Sequence, residues 1–198
     1  MSVLTASVLG LGLGLKHALE ADHVAAVCTF VARGGTVARA AKSGALWGLG
    51  HAVVLMLATG TLVLAGVSVP ERIATLLDVA VAVMLIGLGV HALAVRHKFH
   101  QDEPAATPNR RPFAVGVVHG ASGTAALTLL VASTMSTPGA ALVFVGVFSF
   151  AAVIGMALAA ALVALPMRSL ARLSPAVMPY VQTLTALVSI AAGIAIVM

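Results

Sequence analysis

His17-Ala-Leu-Glu-Ala-Asp22-His23 places two imidazoles and two carboxylates within seven residues of an otherwise apolar stretch. Val3–Leu15 precedes it and Val24–Val31 follows it. Acidic and basic side chains at the centre of a bilayer cost roughly 2.5–3.5 kcal/mol each on insertion scales. Such a cluster persists in hydrocarbon only if something pairs with it. Imidazole plus carboxylate is also a ligand set for a divalent transition metal. The stretch therefore reads as the polar heart of a membrane-crossing helix that handles a metal ion.

The rest of the chain fits that setting. Of its 198 residues, 61% are hydrophobic and only 9% charged, where a soluble domain has roughly 25% charged. A spanning helix needs about 20 apolar residues. Six apolar runs cover most of the length, at about 3–31, 43–67, 73–95, 113–135, 139–165 and 176–198. Period-two alternation is absent, so helices satisfy the backbone. The expected fold is all-α: a single polytopic membrane domain over 1–198 with six transmembrane helices. The N-terminus lacks the basic region of a cleaved signal peptide. Cys28 is the only cysteine, which excludes an intrachain disulfide and a CxxC pair.

A net charge of +5 does not point to nucleic acid, because the charges follow the topology. Nine of the eleven lysines and arginines lie in the connections after odd-numbered helices: Arg33, Arg39 and Lys42, then Arg96, Lys98, Arg110 and Arg111, then Arg168 and Arg172. The positive-inside rule makes those connections cytoplasmic and puts both termini outside. The linker at about 96–112 holds His97, His100 and three prolines and reads as a solvated loop. Asp78–Gly89 can be laid over Gln182–Gly193, and His17 of helix 1 over His119 of helix 4. That suggests a 3+3 inverted repeat, a plan that holds its site near the midplane.

In straight helices, Asp22 and His23 lie about 7–9 Å to the cytoplasmic side of His17. On the same scale His51 of helix 2 and His119 of helix 4 share that depth, roughly 6–8 Å from the centre. The expected metal ligands are His17, Asp22, His23 and His51, with His17 as an outer relay. Glu20, Asp78, His91 and His119 are weaker candidates for the metal's path. Lys16 and Glu20, four apart, are expected to pair on one helix face. The first run is too long for a straight crossing, about 43 Å for 29 residues against a core of about 30 Å. A break is expected there, with Gly10, Gly12 and Gly14 just upstream.

At these residues the chain resembles the nickel/cobalt transporter family, in particular its short urease-accessory-type branch. The family signature, His, four residues, then Asp-His, is matched by His17–His23. Its Gly-His pair in the following helix is matched by Gly50-His51, and Val115–Leu127 is similar to the short branch's fourth helix. Ala52 stands where many members carry serine, and Phe148-Ser-Phe-Ala151 where larger members carry an acidic element. The resemblance implies transport of Ni²⁺ or Co²⁺ as substrate in the cell membrane (the inner membrane of a bacterium), with no resident cofactor. Efflux by the same fold stands beside uptake. So does a non-transporting accessory protein that holds metal for a nickel enzyme. Implied partners are the metal ion, membrane lipid, and a second copy of the chain or nickel-enzyme accessory proteins. An enzyme is not expected: no nucleophile–base pair and no HExxH run is present.

Overall fold

The computed structural model describes residues 2–31, 36–67, 70–95, 110–121, 131–132 and 134–198. Among them lie seven α-helices and no strand. They are α1 (Val3–His17), α2 (Ala21–Val31), α3 (Val37–Ala65), α4 (Glu71–Val95), α5 (Arg110–Gly120), α6 (Pro138–Leu173) and α7 (Met178–Val197), with a 3₁₀ turn at Pro175–Val177. Four of them, α3, α4, α6 and α7, are long and apolar enough to cross a membrane.

Local chemistry sets the ends. Ser2 Oγ, Thr36 Oγ1 and Thr137 Oγ1 each accept the backbone N–H three residues on, at 3.2 Å, and so start α1, α3 and α6. Such caps satisfy donors that have no partner within the helix. Gly66, at φ 67°, closes α3 in the left-handed conformation that glycine adopts without a Cβ clash.

The runs and the helices differ in four places. The first run is two helices, broken at Ala18–Glu20. The helix of the second run, α3, starts six residues early, at Val37, so Arg39 and Lys42 of the expected first connection are helical. The fifth continues through Pro166 to Leu173, so Arg168 and Arg172 of the expected connection are helical. Pro166 removes only the hydrogen bond to the Leu162 carbonyl, and the connection shrinks to the 3₁₀ turn. The fourth run is described as α5 up to Gly120; residues 122–130 lie outside the described residues, as do 96–109 with His97 and His100.

In lipid, helices gain little from burying apolar area, and close backbone approach at small residues holds them instead. A Cβ on Gly10 would lie 2.9 Å from Phe144 O, and one on Gly14 2.8 Å from Ala151 Cβ, so α1 runs parallel to α6. Gly116 and Gly120 abut the backbone of Trp47 and His51, so α5 runs parallel to α3. Gly44 meets Ala160 Cβ and Gly48 meets Val153 Cα, in the reverse order, so α3 and α6 are antiparallel. The α4–α7 pair is reciprocal. Gly89 abuts Ala186 and Ile190, and Gly193 abuts Ala82 and Ile86. Between them Ser189 Oγ donates to Leu85 O at 2.8 Å. Shifting Ala82, Leu85, Ile86 and Gly89 by 104 residues gives Ala186, Ser189, Ile190 and Gly193, the same shift that overlays the two sequence stretches.

Candidate metal centre

The polar cluster is built at the break. The α-helical ladder stops at His17; Leu19 N–H donates to Lys16 O and Glu20 N–H to His17 O, a tighter turn of three-residue bonds. Glu20 O then accepts from Val24 N and opens α2. The glycines upstream do not make this break. Gly10 and Gly14 stay helical and serve the contact with α6, while Gly12 faces open space.

The break corrects two expectations from straight-helix geometry. His17 does not lie apart from the other imidazoles. Its Nε2 is 3.1 Å from His51 Nε2, and its ring centroid is 4.3 Å from that of His23. Nor does Glu20 serve Lys16, which is exposed. The i,i+4 register ends with the helix, and Glu20 Oε2 sits 2.9 Å from His17 Nδ1.

Two groups of metal-capable atoms result, sharing His23: His17, His23 and His51, and Asp22, His23 and His119. Within each, one ligand atom per residue lies within 4.8 Å of the others. All four histidines are buried, His23, His51 and His119 completely. In the first group the carboxylates fix which ring nitrogen faces inward. Glu20 takes His17 Nδ1, and Asp22 Oδ1 takes His23 Nδ1 at 2.9 Å. That leaves His17 Nε2 and His23 Nε2 as lone-pair nitrogens. Among the described residues His23 Nε2 and His51 Nδ1 are buried with no hydrogen-bond partner, a costly state for polar atoms without a compensating ligand. A metal ion about 2.1 Å from each of two nitrogens spans at most about 4.2 Å between them. The His17–His51 pair is already within that span. Carboxylate-held imidazoles are the usual support of a metal-binding histidine.

Asp22 has its two oxygens on two imidazoles: Oδ1 on His23, and Oδ2 on His119 Nε2 at 2.9 Å. It also accepts His23 N–H at 2.9 Å. It therefore bridges α2 to α5. Asp78, half-buried on α4, and His91, exposed near the end of the same helix, belong to neither group.

Two aromatic walls enclose the cluster. Trp47 lies 5.4 Å from His23 and 5.5 Å from His119 between ring centroids, and Phe148 lies 5.3 Å from His17. Trp47 belongs to an apolar cluster with Val27, Leu85 and Met156, and Phe148 to another with Leu55 and Phe144. The imidazoles sit between the two. Sequence reasoning did not assign either wall. A signal existed for Trp47, the only tryptophan, four residues before His51 and so on the same helix face. Phe148 reaches the site from α6, and its only signal was its place in the stretch that stands where larger family members carry an acidic element.

The chain is similar to a urease accessory protein UreH from Bacillus sp. (strain TB-90), 31% identical over a 186-residue alignment that covers 87% of this chain and 80% of the relative. No family profile matches the chain. No solved structure matches it either.

Proposed function

We propose, for a chain that belongs to the family of urease accessory protein UreH, the short urease-accessory-type branch of the nickel/cobalt transporters, that it carries Ni²⁺ or Co²⁺ across a cell membrane. One observation carries this reading. Three buried imidazoles from α1, α2 and α3 converge inside an apolar helix bundle, and two of them, His17 and His23, have their outer nitrogens tied to carboxylates. His17, His23 and His51 hold the ion through nitrogen, and Glu20 and Asp22 offset its charge and orient the rings. Asp22 is thus a positioning carboxylate while the ion is in this set.

The helix directions support six crossings. If α1–α2 is the first span and the segment opening with α5 the fourth, alternate crossings require α1 parallel to α6, α3 parallel to α5, and antiparallel α3–α6 and α4–α7 pairs. Those are the observed senses. Both termini then lie outside, with the basic connections in the cytoplasm. The reciprocal α4–α7 contact supports two inverted halves of three spans. The imidazole ligands bind metal only when deprotonated.

The test is metal flux into proteoliposomes, offering nickel, cobalt and zinc to wild type and His17→Ala side by side. Flux of nickel or cobalt in wild type and its loss in the variant are expected. A second reading is favoured by the relative's name: a membrane protein that holds nickel for urease assembly without moving it. Metal bound in detergent with no flux of any ion would select that reading.

A further inference from the structure

We infer that the cargo ion occupies two successive positions, and that the second is formed by Asp22, His23 and His119. This rests on the proposed metal-carrying function and deepens it. Set one is His17, His23 and His51; set two shares only His23 with it. The His23 ring stands 4.3 Å from His17 and 4.2 Å from His119 between centroids. It thus has a ligand group on either side. Its two nitrogens are divided accordingly: Nε2 is left for set one, while Nδ1 lies beside Asp22, 2.9 Å from Oδ1.

The second set has the makings of a site in its own right. His119 and His23 are fully buried and Asp22 is largely so. They offer two nitrogens and a carboxylate, a suitable environment for Ni²⁺ or Co²⁺. The three come from two elements, α2 and α5, and α5 is pressed onto α3 at Gly116 and Gly120, which fixes His119 against the cluster. An ion leaving set one for set two exchanges the His17 and His51 nitrogens for an Asp22 oxygen and the His119 nitrogen. His23 changes the nitrogen it presents, so its single ring proton, on Nδ1 while Nε2 holds the ion, ends on Nε2 once Nδ1 holds it. The ion never has to leave the protein for water between the two, and it gains an anionic ligand, the Asp22 carboxylate, as it moves. Because both sets depend on one imidazole, a single ion fills one or the other.

The experiment is the visible spectrum of Co²⁺ titrated into detergent-purified protein, for wild type, His51→Gln and His119→Gln. Glutamine keeps a hydrogen-bonding side chain at each position and is a poor metal ligand, so folding is preserved; the melting temperature of each variant checks this. Wild type is expected to bind one cobalt per chain with a spectrum that is a sum of two components. His119→Gln should show only the nitrogen-only component, and His51→Gln only the component with a carboxylate ligand, each with affinity reduced about tenfold or more. Flux in proteoliposomes should fall at least as far in both. A folded His119→Gln with the wild-type spectrum, or a folded His51→Gln that binds no cobalt, would overturn the second set. If wild type itself binds no cobalt, the metal-carrying function fails and takes this inference with it.

Discussion

Gly116→Ala is expected to disarm the metal centre without touching a ligand. A Cβ there would fall inside the contact distance of the Trp47 carbonyl oxygen, 2.9 Å from Trp47 C and 3.0 Å from His51 N. These are backbone atoms and cannot rotate aside, so α5 must retreat from α3. The His119 Nε2–Asp22 Oδ2 bond is 2.9 Å long, and a contact at about 3.6 Å is no longer a hydrogen bond. A retreat of about 0.7 Å therefore releases Asp22 from His119. Overpacking of this kind costs about 1–3 kcal/mol. For a chain of this size that lowers the melting temperature by about 2–12 °C. The assay is thermal melting in detergent, followed by cobalt binding and flux on the same preparation. Gly12→Ala and Gly87→Ala are the controls, since a Cβ at either meets nothing within 4 Å. Alanine favours a helix over glycine by about 1 kcal/mol, so both should melt at or above wild type. Gly116→Ala melting with wild type and keeping its cobalt spectrum would refute the close-packing argument.

Other consequences are equally concrete. Asp22→Asn and Glu20→Gln should each weaken metal binding by about 10–100-fold, as loss of an orienting carboxylate does, and Asp22→Asn should also stop flux; equilibrium titration and vesicle uptake separate the two effects. Metal binding should weaken on acidification, because protonated imidazole offers no lone pair; an affinity that stayed unchanged down to the pH at which the protein unfolds would exclude imidazole ligands. Ser189→Ala removes a side-chain hydrogen bond between α7 and α4 and should cost about 0.6 kcal/mol, the average for such bonds in a membrane protein, seen as a small drop in melting temperature. Gly193→Val should cost more than Ser189→Ala in the same assay, because its new methyls meet Ala82 O and Ile86.

How much of this was legible in the sequence depends on which physical rule wrote each feature. Apolar runs longer than a bilayer is thick mark helices directly, and α3, α4, α6 and α7 fall where their runs lie. Ends were less legible. Capping threonines at 36 and 137 start helices at polar residues, and Pro166 did not stop α6 because one lost hydrogen bond is a small part of a 36-residue helix. The spacing of His17, Asp22 and His23 identified the cluster, and excess length announced a break. It did not reveal that three residues of tight turn bring His17 back beside His51. A depth scale of 1.5 Å per residue holds only along an unbroken helix. The pairing of Glu20 with His17 in place of Lys16 has the same origin. His119, Trp47 and Phe148 were harder still. Their approach to the site is set by glycine contacts between α5 and α3 and between α1 and α6, and such contacts join residues about 70 or more apart in the chain.

X-ray absorption of the nickel-loaded protein tests the central claim most directly. The account predicts the multiple-scattering pattern of imidazole ligands, with nickel binding lost when His17, His23 and His51 are all replaced by alanine. A nickel shell of oxygen atoms alone, or an imidazole pattern that persists in the triple variant, would contradict it.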